Sequence, residues 1–401
     1  MISVEEARAR IAAGLKPVAA EIVGLAQAHG RVLARPVLAR LTVPPADVSA
    51  MDGYAVRALD ARAGASLRLI GEAPAGHPFN GKMGPGETVR IFTGSVIPEG
   101  ADTVLIQENA TASGHNVQVN EAAEAARHIR RRGGDFSAGD EVISAGRRLS
   151  VRDIGVAGAA GHPWLCVHRK PRVAILCTGD EINLPGEPVP AGGIANSNAA
   201  MLAAFVAAHG GEPLLLPIAR DTEDAVAAGA EAARGADILV TTGGASVGAH
   251  DLVQAGLAQQ GFALDFWKIA MRPGKPLIFG SVNAMPVLGL PGNPVSAYVC
   301  ATLFLAGAIA VLGGLPPQAP RLAKARLGAP MKANDRREDY VRAALAEGGD
   351  GWVVTALPVQ DSGMLRALAK AEALIRRVPH APEALAGDVV DILLLDASQH
   401  A

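Results

Sequence analysis

The residues best suited to chemistry sit in a few short loops rich in glycine and proline. Thr178-Gly179-Asp180-Glu181 follows an apolar run at 173–177. Two adjacent acids just past a strand end suit a Mg²⁺ ion or a ligand's amino and hydroxyl groups. Taken alone, the same motif is a turn with a helix-capping acid. Asp221, in ARDTED, follows the run at 214–218 and is either an N-terminal helix acid or another strand-end acid. Residues 237–251, DILVTTGGASVGAHD, read as a buried strand entering a glycine-rich turn with Gly243, Gly244, Ser246 and Gly248, closed by Asp251. Glycines let a ligand approach the backbone, and free N–H groups at a helix start attract anions. An ordinary strand-to-helix loop has the same appearance when met singly. KIAMRPGKP, residues 268–276, gathers Lys268, Arg272 and Lys275 around a Pro-Gly turn. Such a cluster calls for anions, from a phosphate, another oxyanion or the acids above. GLPGNPVS, residues 289–296, ends an apolar run with Pro291 and Asn293, and Pro294 suits a first helical turn. Ser296 and the N–H groups there are suited to an oxyanion.

These loops need a frame that brings them together. From residue 171 the chain alternates apolar strand-like runs (173–177, 214–218, 238–240) with helical ones (199–209, 223–234, 250–260), followed by FWKIAM, PLIFG and PVLGL. That alternation predicts an open parallel sheet with helices on both faces, with ligands at the carboxyl ends of its strands. The five loops then share one edge, which carries acids, cations and bare backbone N–H groups. That is the pattern of a metal-assisted site for a phosphorylated or oxyanionic ligand. Asn196, Ser197 and Asn198 precede a helix and are suited to capping it or to touching a ligand.

Residues 1–35 read as helical, with Ile11, Leu15, Ile22, Val23 and Leu25 at apolar positions. Residues 37–141 carry short β-type runs between Gly/Pro turns. Residues 151–161 return to a helical pattern and are expected to pack against the first helices. GGLPPQAP (313–320) reads as a linker to a small terminal β-domain. The uncharged run 295–312 is long enough to span a membrane. It follows PGNP directly and lacks flanking basic residues, so a buried core or interface helix is expected.

The 401 residues, 49% hydrophobic and 19% charged, allow several domains and a large core, and they exclude wholesale disorder. With aromatics at 3%, that core must be aliphatic. The formal charge of -2 argues against bulk electrostatic binding to nucleic acid or to an anionic membrane. Cys166, Cys177 and Cys300 are scattered in apolar runs, as reduced buried thiols of a cytoplasmic protein would be. Glu5 and Glu6 interrupt the first residues, which show no apolar signal core.

Further candidates lie elsewhere: Asp52 in SAMDGYAV, Thr93 in RIFTGSVIPE, Asp135 in RRGGDFSAGD, and Arg337, Arg342 and Ser362 near the end of the chain. Each is open to plain turn chemistry. As a set with TGDE, NSN, TTGGASVGAHD, FWKIAMRPGKP, GLPGNPVSA and SGMLRALAKAEALI, they resemble the molybdopterin molybdenumtransferase family of molybdenum-cofactor biosynthesis, which includes the E domain of gephyrin. The matching stretches run from about Ser49 to about Ile375.

The resemblance implies a multidomain α/β fold: a discontinuous helical domain (1–36 with 142–170), a β-rich domain (37–141), a central α/β domain that binds molybdopterin (171–315), and a small C-terminal β-barrel-like domain (316–401). It implies a homodimer whose active site is completed by the partner subunit. It also implies an enzyme that inserts molybdenum from molybdate into adenylylated molybdopterin, with Mg²⁺-dependent release of AMP. Glu181, Asp221 and Asp251 match the family's acids around metal and nucleotide, and Lys268, Arg272 and Lys275 its cationic loop. Thr178, Gly179, Gly243, Gly244, Ser246, Gly248, Pro291 and Asn293 fall in its substrate loops. Ser296, Arg342 and Ser362, with Arg337, match its molybdate side. Asp52, Thr93 and Asp135 match the contribution of the partner subunit. A pterin adenylyltransferase and molybdoenzyme-maturation proteins are the protein partners this role implies, with no nucleic acid and no membrane. Arg272 stands where many relatives carry Lys, and PPADVSAMDG lacks the more usual aromatic-Asp lead-in. Two other readings stay open, a pterin adenylyltransferase and a non-catalytic gephyrin-like scaffold. Neither needs the full set of acids and cations together with SAMDGYAV.

Overall fold

The computed structural model describes residues 1–243, 249–349 and 351–395, with Ala249, His250 and Asp251 described by their backbone alone. The chain divides into two compact units. One comprises Met1–Glu21, Gly30–Ala34 and Cys166–Ala401; the other comprises Ile22–His29 and Arg35–Leu165.

In the first unit, helix α1 (Val4–Ala13) is capped by Ser3, whose side chain accepts the Glu6 N–H. It is followed by strands β1 (Arg172–Cys177), β2 (Glu212–Leu215), β3 (Ile238–Thr242), β4 (Phe262–Trp267), β5 (Ile278–Val282) and β6 (Met285–Leu290). Helices α2 (Ser197–Ala208), α3 (Glu223–Ala232), α4 (Ala249–Ala258) and α5 (Pro294–Leu312) accompany them. The strand order is β2-β1-β3-β6-β5-β4. Residue alternation along β1 explains the layers. Val173, Ile175 and Cys177 enter a core shared with α1, α2 and α5, whereas Ala174 and Leu176 face Val226 of α3 and Val253 of α4.

The sheet is mixed, not wholly parallel as the alternation suggests. Strands β2, β1, β3 and β6 run parallel, but β5 is antiparallel to both β6 and β4. The cause is local. Asn283 and Ala284, both at positive φ (48° and 67°), close a two-residue hairpin between β5 and β6, the backbone such a turn requires. The shared edge survives this reversal. Thr242 pairs with Cys177 and Leu290, Gly289 with Ile278, and Ile278 with Trp267. The ends of β1, β3, β4 and β6 and the start of β5 therefore lie along one border.

Two expectations for the N-terminal residues need correction. The helix stops at Gly14, and Ala20–Gly24 is extended, as β-branched Ile22-Val23 beyond Pro17 favours. Helix Val151–Ala159 packs, as expected, against an early helix, the short Leu25–Ala28 of its own unit, but not against α1, which packs on the second half of α5. Helix α5 is 19 residues long and apolar enough to cross a membrane by length and composition, yet 72% of its most apolar window is buried. It serves as the core helix of this unit. Cys177 and Cys300 are buried, and all three cysteines are free.

Five strands close the C-terminal barrel: Ala323–Leu327, Glu338–Gly348, Gly351–Ala356, Ala373–Arg377 and Val389–Leu394. Glu338–Gly348 closes it by pairing with both Gly351–Ala356 and Ala373–Arg377. Met271–Arg272, from the cationic loop, adds to this sheet in parallel opposite Glu338 and Asp339.

The second unit is built on a six-stranded sheet with Gly53–Val56 between Thr103–Ile106 and Glu87–Ile91. Tyr54 and Val56 face one core and Ala55 faces another. Helix Val151–Ala159 starts with a reciprocal capping box between Ser150 and Asp153.

Candidate active site

The common border of the α/β sheet opens into a cavity of about 590 Å³. Its walls are Cys177, Glu181 and Ile182 after β1, the segment 194–198 at the start of α2, Thr242 and Gly243 after β3, and residues 291–294 and Ser296 at the start of α5. Pro276 from the cationic loop and Gly363 and Leu365 from the barrel complete it.

Each loop has a physical reason for its position. Thr178 extends β1, donating its N–H to the Thr242 carbonyl at 3.0 Å, and the Gly179 N–H reaches the Ala219 carbonyl at 3.1 Å. Gly243 has φ 108°, and a Cβ there would lie 2.1 Å from the Thr178 carbonyl oxygen. Only glycine fits this close approach. A Cβ on Gly292 would in turn lie 3.2 Å from the Gly243 Cα. Asn196 caps α2, its side chain accepting the Ala199 N–H at 3.0 Å. Asn198 spans the border: its Nδ2 donates to Thr242 Oγ1 at 2.9 Å and to the Gly292 carbonyl at 2.7 Å. At the start of α5, Asn293 Nδ2 donates to Ser362 Oγ at 2.7 Å, and the Val295 N–H donates to the Ser362 carbonyl at 3.1 Å. The barrel loop is thereby seated on the helix start, and one of the N–H groups expected there is already taken.

The carboxylates stand apart from cations. Asp221 donates its N–H to Asp180 Oδ1 at 3.2 Å, and Arg220 donates to the Asp180 carbonyl at 2.9 Å. Among the described residues, none of Asp180, Glu181 and Asp221 has an ion-pair partner. Unneutralised oxygen donors of this kind fit a hard cation such as Mg²⁺. Among the described residues no three metal-ligating side chains converge. The side chain of Asp251, like Gly244, Ser246 and Gly248, lies outside the described residues. Burial pushes the Cys177 thiol up, which keeps it a neutral wall of the cavity.

The cationic loop divides. Arg272 is not among the cavity's lining residues, and its guanidinium pairs with Asp339 in the barrel. Among the described lining residues neither Lys268 nor Lys275 appears. Lys268 is held at φ 69°, uncommon for a residue with a side chain, with its Nζ over the Trp267 ring. Its segment is fixed by Ile2, whose carbonyl accepts the Ala270 N–H at 2.9 Å.

Arg342 is 2% exposed within the barrel, and its Nη1 is buried without a hydrogen-bond partner among the described residues. Gln360, two residues before Ser362, brackets its backbone with bonds of 3.0 and 2.9 Å. Burial pushes the pKa of the Arg342 guanidinium down, against the attraction of Asp361. Arg337 is tied to Asp335, and the Arg337 N–H holds the Asp335 carboxyl below its usual range.

Asp52 and Thr93 meet within the second unit. Asp52 Oδ1 accepts from the Thr93 N–H at 2.7 Å and hydroxyl at 2.8 Å, which hold its carboxyl below the usual range. Asp135 is exposed in the same unit, its N–H donating to the Val43 carbonyl at 3.1 Å.

The sequence therefore locates the cavity's loops, Asn198 among them, while the part played by Thr242, Gly292, Gly363 and Leu365 within those motifs comes from the structure.

An α/β sheet with a polar cavity at its strand ends, followed by a closed β-barrel that reaches into that cavity, defines a multidomain ligand-binding enzyme fold. Family models match along almost the whole chain: the MoeA N-terminal region (domain I and II) over residues 2–161, a probable molybdopterin binding domain over 174–311, and the MoeA C-terminal region (domain IV) over 324–395. A molybdopterin molybdenumtransferase of a Nostoc species is 37% identical over 335 residues, covering 81% of this chain and 77% of that protein. Molybdopterin molybdenumtransferase 2 of Mycobacterium tuberculosis is 33% identical over 407 residues, covering 98% and 99%. The crystal structure of a molybdopterin biosynthesis MoeA protein from Pyrococcus horikoshii superposes with a TM-score of 0.85 at 28% identity, covering 98% of this chain and all of that one. The chain belongs to the molybdopterin molybdenumtransferase family and is a transferase of molybdenum-cofactor biosynthesis.

Proposed function

We propose that this enzyme inserts molybdenum from molybdate into molybdopterin that arrives adenylylated, and that Mg²⁺-dependent release of AMP accompanies the insertion. Adenylylated molybdopterin and molybdate would give the molybdenum cofactor, AMP and water. The observation that carries this reading is Arg342: a buried guanidinium with an unpartnered nitrogen, in the barrel whose Ser362 loop is seated on the cavity. A buried guanidinium nitrogen left without an acceptor is costly unless one binds, and molybdate is an oxyanion of suitable charge.

The remaining residues divide the work. Gly243 and Gly292 let the loops at the strand ends pack against one another, Gly243 on Thr178 and Gly292 on Gly243, and so set the wall on which the pterin phosphate would lie. Thr178 and Gly179 extend β1 behind the cavity and belong to its substrate loops, while Pro291, Asn293 and Ser296 form the wall beneath the barrel loop. Gly244, Ser246 and Gly248, outside the described residues, are assigned to substrate binding by the family resemblance alone. Lys268 and Lys275 supply positive charge to the anionic ligand. Glu181, Asp221 and Asp251 would hold Mg²⁺, which neutralises charge on the anhydride. The role of Arg272 is to fix the loop that carries the lysines. Asp52, Thr93 and Asp135 are contributed by the other subunit of a homodimer, and the location is cytoplasmic.

The domain division 1–36 with 142–170, 37–141, 171–315 and 316–401 belongs to the same reading. Its boundaries near 170 and 315 are supported by family matches that end at 161 and 311 and resume at 174 and 324.

The test is product stoichiometry. Wild-type enzyme given adenylylated molybdopterin, Mg²⁺ and molybdate should yield AMP and bound molybdenum in equal amounts, read by chromatography and elemental analysis. Molybdenum loading without AMP from the adenylylated substrate would refute the coupling.

A further inference from the structure

In the second unit, the segments that carry Asp52 and Thr93 both meet one side chain, Arg90. It lies on strand Glu87–Ile91, directly opposite Tyr54 of Gly53–Val56. Its guanidinium carbon is 5.0 Å from the centroid of the Tyr54 ring and 5.0 Å from that of the Phe92 ring. Nη1 donates to the Gly53 carbonyl at 3.3 Å, and Nη2 donates to Gln107 Oε1 at 2.8 Å. The Gln107 N–H donates in turn to the Asp52 carbonyl at 3.1 Å. Two consecutive carbonyls, those of Asp52 and Gly53, are thus held by Gln107 and Arg90, which are bonded to each other. A Cβ on Gly53 would lie 2.1 Å from the Leu105 carbonyl oxygen, so the backbone just past Asp52 is also pressed onto the neighbouring strand. Phe92, the second ring against the guanidinium, immediately precedes Thr93.

We infer that Arg90 is a positioning residue for the reaction: its guanidinium fixes the segments of Asp52 and Thr93 and so presents their bonded pair to the adenylylated pterin in one orientation. The inference rests on the reading of Asp52 and Thr93 as substrate-binding residues. A planar guanidinium suits this task, because it bonds acceptors in its plane and meets aromatic rings with its faces. An ammonium in its place keeps the charge and loses that geometry. A site ordered before its ligand arrives avoids part of the ordering cost of binding, so loosening Arg90 lowers affinity without removing a ligand contact. The Thr93 N–H first, and then its hydroxyl, hold the Asp52 carboxyl below the usual range, and the Arg90 charge adds a smaller pull in the same direction.

The test is a double-mutant cycle on the full chain, read as the dissociation constant for adenylylated molybdopterin, with thermal unfolding measured alongside. Asp52→Asn should weaken binding at least about 10-fold, as loss of a charged hydrogen bond does. Arg90→Met should weaken it at least about 5-fold, and Arg90→Lys should recover little of that. In the Asp52→Asn background Arg90→Met should cost less than about 2-fold, because the group it orients is gone. Gln107→Leu, at an exposed position, breaks one arm of the same grip and should show the same coupling even if Arg90→Met folds poorly. Equal losses from Arg90→Met or Gln107→Leu in both backgrounds overturn the inference, because Arg90 would then only brace the sheet. Wild-type affinity in folded Arg90→Met, or full rescue by Arg90→Lys, overturns it as well. Wild-type affinity in Asp52→Asn refutes instead the substrate-binding reading of Asp52, and the inference falls with it.

Discussion

Both carboxylate oxygens of Asp339 accept from the Arg272 guanidinium, at 2.7 and 2.6 Å, so a residue that its sequence position offers to a ligand ties the α/β sheet to the barrel. Asn334 and Asp335 complete the grip at 3.1 and 3.3 Å. Arg272→Ala should lower stability in urea unfolding by about 1–3 kcal/mol, the range for a charged hydrogen bond lost at a partly buried site. Arg272→Lys should recover only part, since a point charge cannot bond in bidentate fashion. Full stability in Arg272→Ala would contradict this role.

Gly243→Ala places a Cβ 2.1 Å from the Thr178 carbonyl oxygen at a backbone φ of 108°. The β3 end must move, and with it the cavity wall. Thermal unfolding should show a loss of at least about 2 kcal/mol, and molybdopterin affinity should fall together with stability. Gly76, at φ 82° with nothing within 4 Å of where a Cβ would stand, is a control. Gly76→Asn should cost far less, because asparagine tolerates the left-handed region.

Arg342→Met should separate stability from function. Replacing an unpartnered buried cation with an apolar chain of similar reach should leave stability unchanged or raise it by about 1 kcal/mol. The KM for molybdate should rise at least about 10-fold, consistent with loss of a charged hydrogen bond. A steady-state titration of molybdate checks the second, and an unchanged KM would remove Arg342 from the oxyanion site.

Asp153 links stability to pH. Burial alone would push its carboxyl up, but bonds from Ser150 and the Arg147 guanidinium outweigh this and hold it below the usual carboxylate range. A depressed folded-state pKa means stability that is present above the unfolded value near ~3.9 and lost as pH falls through the folded one. Asp153→Asn should flatten that part of the acid limb and cost about 1 kcal/mol at neutral pH through the weakened cap. An acid limb identical to wild type would refute the linkage.

The frame was legible in the sequence wherever one signal dominated. Buried runs such as 173–177 and 238–240 mark strands, and the Gly/Pro-rich segments after them mark the border loops. The terminal runs at 321–327, 340–345, 352–357 and 389–395 mark the barrel. Misreadings arose where local pattern met a non-local pairing. Ile22 and Val23 sit at helical spacing from Ile11 and Leu15 but lie in the strand Ala20–Gly24. FWKIAM reads as one strand, yet it ends at Trp267, turns at Lys268 and gives Met271 to the barrel. Spacing offers Arg272 as a free cation, and its partner Asp339, 67 residues away, is not legible there. Asn198 reads from its position as a cap or ligand contact, and its bonds to Thr242 and Gly292 are not legible because those loops come from distant parts of the chain.

Whether the strand-end acids couple anhydride cleavage to molybdate is decided by single-turnover AMP release from adenylylated molybdopterin, measured with and without molybdate in wild type, Glu181→Ala and Asp251→Ala. Wild type should release AMP only when molybdate and Mg²⁺ are present. Both variants should be slowed at least about 100-fold while still binding molybdopterin. Release by both variants at the wild-type rate would contradict the proposed role of the acids.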